Sequence, residues 1–315
     1  MISMSSPHTA AQYPAAGLSI PDAMDDDVPD SVAALAAIAQ QRTTPCAGGQ
    51  VVWRIWGEGP PVVLFHGAFG SWTHWLKSIR ALAKQYQVIV PDIPGFGNSD
   101  LPPEPCSTDG MAWILSDGLK EILPDGESIA FVGFSFGGQM AARCARNLKE
   151  RTRQIVLIGS SNLGISRGTR PPALSWRRMT TRQERDSIHR RNLEIVMFHD
   201  PAKIDEVAVW LQRNNAERSR LRELPKQESL RGPLSEAGCR ISFVCGDEDP
   251  RCKPSLDLIE ETLRDISPDP IFVILRGQGH WLSYEAPELL NRALLALLDP
   301  NASALVKKGL RAVIP

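Results

Sequence analysis

Ser135, His280 and a carboxylate among Asp247, Glu248 and Asp249 are far apart in the chain, but their residue types could together perform nucleophilic catalysis. Ser135 sits in Gly133-Phe134-Ser135-Phe136-Gly137, a G-x-S-x-G pattern. Such a pattern marks a sharp strand-to-helix turn that strains the serine backbone and needs small residues two positions to either side. By chance alone it would occur in roughly one chain in ten of this size. Its setting adds the information: the apolar run SIAFVGF precedes it and the helical pattern GGQMAARCARNL follows. A serine hydroxyl is a weak nucleophile without a base. Of the six histidines (His8, His66, His74, His189, His199 and His280), only His280 lies late enough for the order nucleophile, acid, histidine. It follows an apolar run and sits in ILRGQGHWLSYEAP, a loop with two glycines just before it. The acid must orient the imidazole and stabilise its charged form; the run RISFVCG leads into DEDPRCKP and offers the three carboxylates. The run ending in LIGSSNLG offers none.

A tetrahedral intermediate also needs backbone N–H donors for its oxyanion. The amide after the nucleophile, that of Phe136, is one. The stretch VVLFHGAFGSW supplies the other in His66-Gly67-Ala68-Phe69, with Ala68 as the expected donor. His66 is expected to brace this loop by hydrogen bonding rather than act as a base, and Gly67 to allow close approach of backbone to ligand. His66, Gly67, Phe69, Phe134 and Trp281 are the expected pocket residues. Trp281 has a plain reading as a packing aromatic beside the site.

The elements that must hold these residues follow from the hydrophobic pattern. Strand-like runs fall at 50–56, 61–65, 87–92, 128–134, 153–159, 240–246 and 270–277. Several are near-continuous Val/Ile/Phe stretches, as in strands covered on both faces. Helical patterns near 74–84, 107–122, 137–149, 254–265 and 284–298 alternate with them, which predicts an α/β, doubly wound, mostly parallel sheet. Residues 1–45 read as an N-terminal arm with a short helix that Asp30 or Ser31 caps and that runs through Gln41. Residues 46–160 and 236–300 form the core, 161–235 a helical insertion, and 301–315 a tail. In the insertion Ile204, Val207, Ala208 and Leu211 give one apolar helix face. Leu193, Val196, Met197 and Phe198 face either the pocket or the core. Residues 161–240 carry sixteen Lys and Arg against ten Asp and Glu. That excess reads as solvated helix faces, or as arginines that meet an anionic group on the substrate.

HGAFGSW, DIPGFGNSD, GFSFGG, GDEDP and GHW, in this order, resemble the α/β-hydrolase superfamily with a helical cap, over about residues 50–300. The resemblance implies an eight-stranded sheet, acyl-enzyme chemistry and no cofactor. Ser135 would attack, His280 would take and return the proton, and water would cleave the intermediate. Asp249 is the acid chosen, because Gly246 to Asp249 resembles the family's G-x-x-D; Asp247 is the alternative. A serine at the elbow disfavours dehalogenase and epoxide hydrolase activity, which use Asp there. His280-Trp281 resembles carbon–carbon bond hydrolases of aromatic ring-fission products, but Phe134 stands where those enzymes carry Asn.

Bulk properties narrow the field. The 315 residues are 43% hydrophobic, enough for a sizeable core, and the net charge of −1 suggests neither nucleic acid nor an anionic membrane as partner. No apolar run approaches a bilayer span and no secretory signal is visible. The six cysteines lack C-x-x-C pairing, which predicts reduced thiols in a cytoplasmic protein without a metal site. The sequence reading is therefore a cofactor-free serine hydrolase of a small to medium, mostly apolar carboxylic ester. Its rivals are a carbon–carbon bond hydrolase of a diketo acid and a non-catalytic binding protein of the same fold. Oligomeric state is unknown from sequence.

Overall fold

The Val/Ile-rich runs assemble into one sheet in the computed structural model, which describes residues 27–165, 172–299 and 311–314. Its strands are β1 (Gln40–Cys46), β2 (Gly49–Trp56), β3 (Pro61–Phe65), β4 (Gln87–Pro91), β5 (Ile129–Phe134), β6 (Thr152–Ile158), β7 (Arg240–Gly246), β8 (Ile271–Leu275) and β9 (Arg311–Ile314). They lie in the order β1-β2-β4-β3-β5-β6-β7-β8-β9. The β1–β2 and β2–β4 pairs are antiparallel and all others are parallel. Strands β3 and β5 are buried along their whole length. Their side chains alternate between two cores: Val63 and Phe65 enter one, Val62 and Leu64 the other. Helices α3 (Thr108–Ile122), α4 (Gly137–Asn147), α7 (Arg231–Ala237) and α8 (Leu256–Ile266) cover the first face. Helices α1 (Asp30–Ala36), α2 (Ile79–Leu82), α9 (Leu282–Glu285) and α10 (Pro287–Leu298) cover the second. Two-sided burial explains why these strands read as continuous apolar runs.

Two edges depart from the sequence reading. The first helix stops at Ala36, with Pro29 at its N-cap and no side-chain cap, so neither Asp30 nor Ser31 caps it and it does not reach Gln41. The chain then enters β1, whose first four residues are exposed. An edge strand of sequence QQRTTPC has no apolar run to announce it, and Pro45 is tolerated because β1 pairs on one side only. At the other end Arg311–Ile314 pairs in parallel with β8, so this part of the expected tail is a ninth strand added to the expected eight. The arm at residues 1–26 and the tail at 300–310 and 315 lie outside the described residues.

Between β6 and β7 the cap carries α5 (Arg182–Val196) and α6 (Glu206–Arg218), followed by α7. A reciprocal Thr181–Glu184 capping box starts α5, and the Asp205 carboxylate accepts from Ala208 N to start α6. The cap's arginines largely tie these helices together. Arg185 pairs with Glu217 at 3.0 Å, Arg190 with Glu206 at 2.5 Å, and Arg213 with Asp186 at 2.8 Å.

Beneath these pairs His189 is fully buried, and neither ring nitrogen has a hydrogen-bond partner among the described residues. Burial pushes its pKa down to about 4; Asp186 opposes this, and Arg213 and Arg185 reinforce it. The unfolded chain therefore binds the proton first as pH falls. Stability is fully present above the unfolded value near 6.5 and is lost as pH drops towards about 4. His189→Leu is expected to reduce the stability lost between pH 7 and pH 5 by about 2 kcal/mol. Urea titrations at the two pH values measure this; an unchanged loss would contradict it.

Candidate active site

The nucleophile elbow follows from two glycines, Gly133 and Gly137, and one strained residue, Ser135. Ser135 has φ +52°, a conformation that L-residues with side chains rarely adopt. Its amide donates to Ile158 O at 2.8 Å, and its carbonyl accepts from Ser160 Oγ at 2.8 Å, so the end of β6 and the residues just after it hold the turn from both sides. A Cβ on Gly133 would lie 2.5 Å from Gly137 O, and one on Gly137 would lie 2.2 Å from Phe65 O. Both clashes are with backbone, which cannot swing away. Ser135 is the one residue between 129 and 145 that is not buried. Gly137→Ala is expected to destabilise the fold by about 1–3 kcal/mol or more, read as a lowered thermal midpoint; a neutral result would contradict this steric account.

Beside the elbow, the turn after β7 and the loop after β8 bring Asp249 and His280 together. Asp249 Oδ2 lies 2.7 Å from His280 Nδ1, and both side chains are buried. The other carboxylate oxygen, Oδ1, accepts from Arg251 N at 2.8 Å. Burial pushes the Asp249 carboxyl up, but the facing imidazole and the Arg251 amide outweigh it and hold the group below the usual carboxylate range. Asp247, the alternative acid, accepts from Gly277 N at 2.7 Å and braces the turn after β8 instead. The histidine loop is anchored to the cap, since the amides of His280 and Trp281 both donate to Met197 O at 2.9 and 2.8 Å. Buried Glu285 holds the same loop, accepting from Gly279 N at 2.6 Å and from the cap amide His199 N at 2.8 Å. Gly159 also has a positional reason, because a Cβ there would lie 2.9 Å from His280 Cε1 and 3.0 Å from Asp249 Oδ2.

The loop after β3 supplies the remaining parts. His66 Nε2 accepts from Ile93 N at 2.9 Å, so its Nδ1–H donates to Gly67 O at 2.8 Å. Burial lowers the His66 pKa. Gly70 N also donates to Gly67 O, and Gly67 N donates to His74 Nδ1 at 3.2 Å. The amides of Ala68, Phe69 and Phe136 have no partner among the described residues. They are available at the mouth of the elbow, as oxyanion donors must be.

A cavity of about 300 Å³ opens above Ser135. Ala68, Phe69, Ser135 and Phe136 line it, with Ile195, Val196 and Met197 from the cap, side-chain amides such as Asn192 and Gln212, and Arg251. Of the four cap candidates, Val196 and Met197 reach the cavity, whereas Leu193 and Phe198 are buried in the core. His66, Gly67, Phe134 and Trp281 do not line it and form a layer behind the wall. The Phe134 ring packs at a tilt against the His280 ring, with centroids 4.9 Å apart, and Trp281 Nε1 donates to His74 O at 3.1 Å. Two of these four residues, Phe134 and Trp281, are thus engaged by neighbouring side chains and backbone rather than turned to the cavity. No cap arginine lines the cavity among the described residues; Arg167 and Arg170 lie outside them. His74, which does line it, had no motif to mark it.

The sequence matches the family model of the α/β-hydrolase fold over residues 60–194. Among characterised relatives, a pimeloyl-[acyl-carrier protein] methyl ester esterase of Aeromonas hydrophila is 34% identical over 36% of this chain and 43% of its own length, so the chain matches less than half of that esterase. A 2-hydroxy-6-oxononadienedioate/2-hydroxy-6-oxononatrienedioate hydrolase of Escherichia coli is 28% identical over 77% of this chain and 88% of its own. Among solved structures, a carboxylesterase of Bacillus subtilis superposes with TM-score 0.67 at 18% identity, covering 85% of this chain and 94% of that one. A meta-cleavage product hydrolase of Pseudomonas fluorescens superposes with TM-score 0.66 at 23% identity, covering 81% and 96%.

Proposed function

We propose that the chain is a hydrolase of the α/β-hydrolase fold, whose family model it matches over residues 60–194, and that it cleaves a small to medium, mostly apolar carboxylic ester through Ser135, His280 and Asp249. The observation that carries this reading is the buried 2.7 Å His280–Asp249 pair beside a serine at φ +52°. With Nδ1 engaged by Asp249, the Nε2 of His280 is the nitrogen left to take the Ser135 proton. Ser135 Oγ attacks the ester carbonyl, and the charge that develops on the carbonyl oxygen is met by the N–H groups of Phe136 and Ala68. His280 returns the proton to the leaving alkoxide, and water, activated by the same imidazole, releases the acid and restores Ser135.

Carbon–carbon bond hydrolysis would use the same three residues, and the alignment over 88% of the Escherichia coli hydrolase keeps it as the competing reading. The cavity favours the ester. Its lining is mostly apolar with side-chain amides; Arg251, from the turn after β7, also lines it, while the described cap arginines are engaged in ion pairs or lie away from it. Turnover of p-nitrophenyl acyl esters of graded length should exceed that of a coloured ring-fission diketo acid by at least about tenfold in kcat/KM. The opposite order would replace the ester reading with the carbon–carbon one.

A further inference from the structure

The short turn Trp72–Trp75 is where three parts of the site meet, and His74 stands at its centre. Its ring is buried against His66, Phe134 and Trp281, with centroids 6.1, 5.6 and 5.1 Å away. An amide N–H can only donate, so the bond from Gly67 N makes His74 Nδ1 an acceptor. The neutral ring then carries its proton on Nε2. His66 is the complementary case: its Nδ1–H donates to Gly67 O.

The two histidines therefore grip two successive peptide units. His74 holds the N–H of the 66–67 peptide, and His66 holds the C=O of the 67–68 peptide. A trans peptide is planar, with its C=O and N–H pointing in opposite directions. Fixing Gly67 C=O on the His66 side therefore turns the Ala68 N–H away from it, and that amide has no partner among the described residues. The main chain of His74 reaches the other half of the site. Its carbonyl accepts from Trp281 Nε1 at 3.1 Å and from Ser283 Oγ at 2.6 Å, one and three residues beyond His280. The same turn is joined to the cap, because Asn215 of α6 bonds Ser71 at 2.7 Å and Thr73 at 3.1 Å.

We infer that His74 is a positioning residue for the oxyanion hole: its ring sets the Gly67–Ala68 peptides, and its carbonyl ties them to the loop that carries His280. The inference rests on the serine-hydrolase reading. Protonation would place a hydrogen on Nδ1 and break the Gly67 bond. Burial, with the charges His66 and His280 would carry, holds the His74 pKa well below the ordinary histidine value, so the acceptor form persists.

The test compares His74→Leu and His74→Asn with the unaltered protein on one p-nitrophenyl ester. Asparagine can place Oδ1 where histidine has Nδ1 and so restore an acceptor for Gly67 N. His74→Leu is expected to lower kcat by about 10- to 100-fold while KM changes by less than about 3-fold, since the donor acts in the transition state. His74→Asn should recover most of that loss. Affinity for a trifluoromethyl ketone, which forms a hemiketal oxyanion on Ser135, should fall in His74→Leu by the same factor as kcat/KM. A His74→Leu enzyme with unaltered kcat, or an Asn variant as impaired as the Leu variant, would overturn the inference while leaving the hydrolase reading intact. Absence of turnover and of Ser135 labelling in the unaltered protein would overturn both. Should His74→Leu not fold, ¹⁵N NMR of the unaltered protein decides. A scalar coupling between Gly67 N and His74 Nδ1, with the Nε2–H tautomer retained from about pH 5 to 9, is expected, and an Nδ1–H tautomer overturns the inference.

Discussion

Ser135→Ala and His280→Ala should each remove nearly all turnover, about 10⁴- to 10⁶-fold in kcat, and the double variant should be little worse than either alone. The reason is mutual dependence. Without the imidazole the Ser135 hydroxyl has no base, and without the hydroxyl the imidazole has no proton to move. The residual rate then comes from binding and the oxyanion donors, which both replacements leave in place. Neither change should unfold the protein. The elbow's geometry resides in its glycines and in the bond from Ser135 N to Ile158 O, which alanine keeps. Steady-state kinetics of the two single variants and the double variant, on one ester, give the answer. Losses that multiply would mean that the two residues act independently, and the proposed triad would be wrong.

Asp249→Asn is expected to lower kcat by about 10⁴-fold, while Asp247→Asn changes it by no more than about threefold. An asparagine amide that donates to His280 Nδ1 would leave the ring's proton on Nε2, the wrong nitrogen for a base facing Ser135. The Asp247 carboxylate accepts from a turn amide, Gly277 N, and an asparagine oxygen can accept that bond equally well. The reverse ranking would transfer the acid role to Asp247. The two buried groups also predict different pH windows. The Asp249 pKa is held below the usual carboxylate range, so its contribution to stability is present above about pH 4 and is lost only as pH falls through its lower folded value. Acid destabilisation as pH falls below about 6.5 comes instead from the buried histidines His66, His74 and His189, whose pKa values burial lowers.

The parts of this site that were legible in the sequence are those whose residue types are sterically or chemically forced. Gly133 and Gly137 could be read because any Cβ there strikes backbone, and the apolar runs because their strands are covered on both faces. The choice between Asp247 and Asp249 was not forced, as both follow β7 within three residues. It depends on which carboxylate the loop after β8 engages, a tertiary relation with no local signal. Strand β1 was hidden because an edge strand can be polar, and β9 because four residues are too short for a pattern to form. Phe134 and Trp281 illustrate another limit. Their positions beside Ser135 and His280 suggest pocket walls, yet Phe134 packs at a tilt against the His280 imidazole and Trp281 bonds the His74 carbonyl. Proximity in sequence gave the neighbourhood without the direction. His74 carries no motif, because its significance lies in one acceptor nitrogen facing Gly67.

The central claim is that Ser135 is an activated nucleophile, and covalent labelling tests it most directly. Folded protein treated with a fluorophosphonate should gain one adduct, mapped by peptide mass spectrometry to Ser135, and His280→Ala should label far more slowly. Folded, unaltered protein that does not label, or that labels at another residue, would contradict the account.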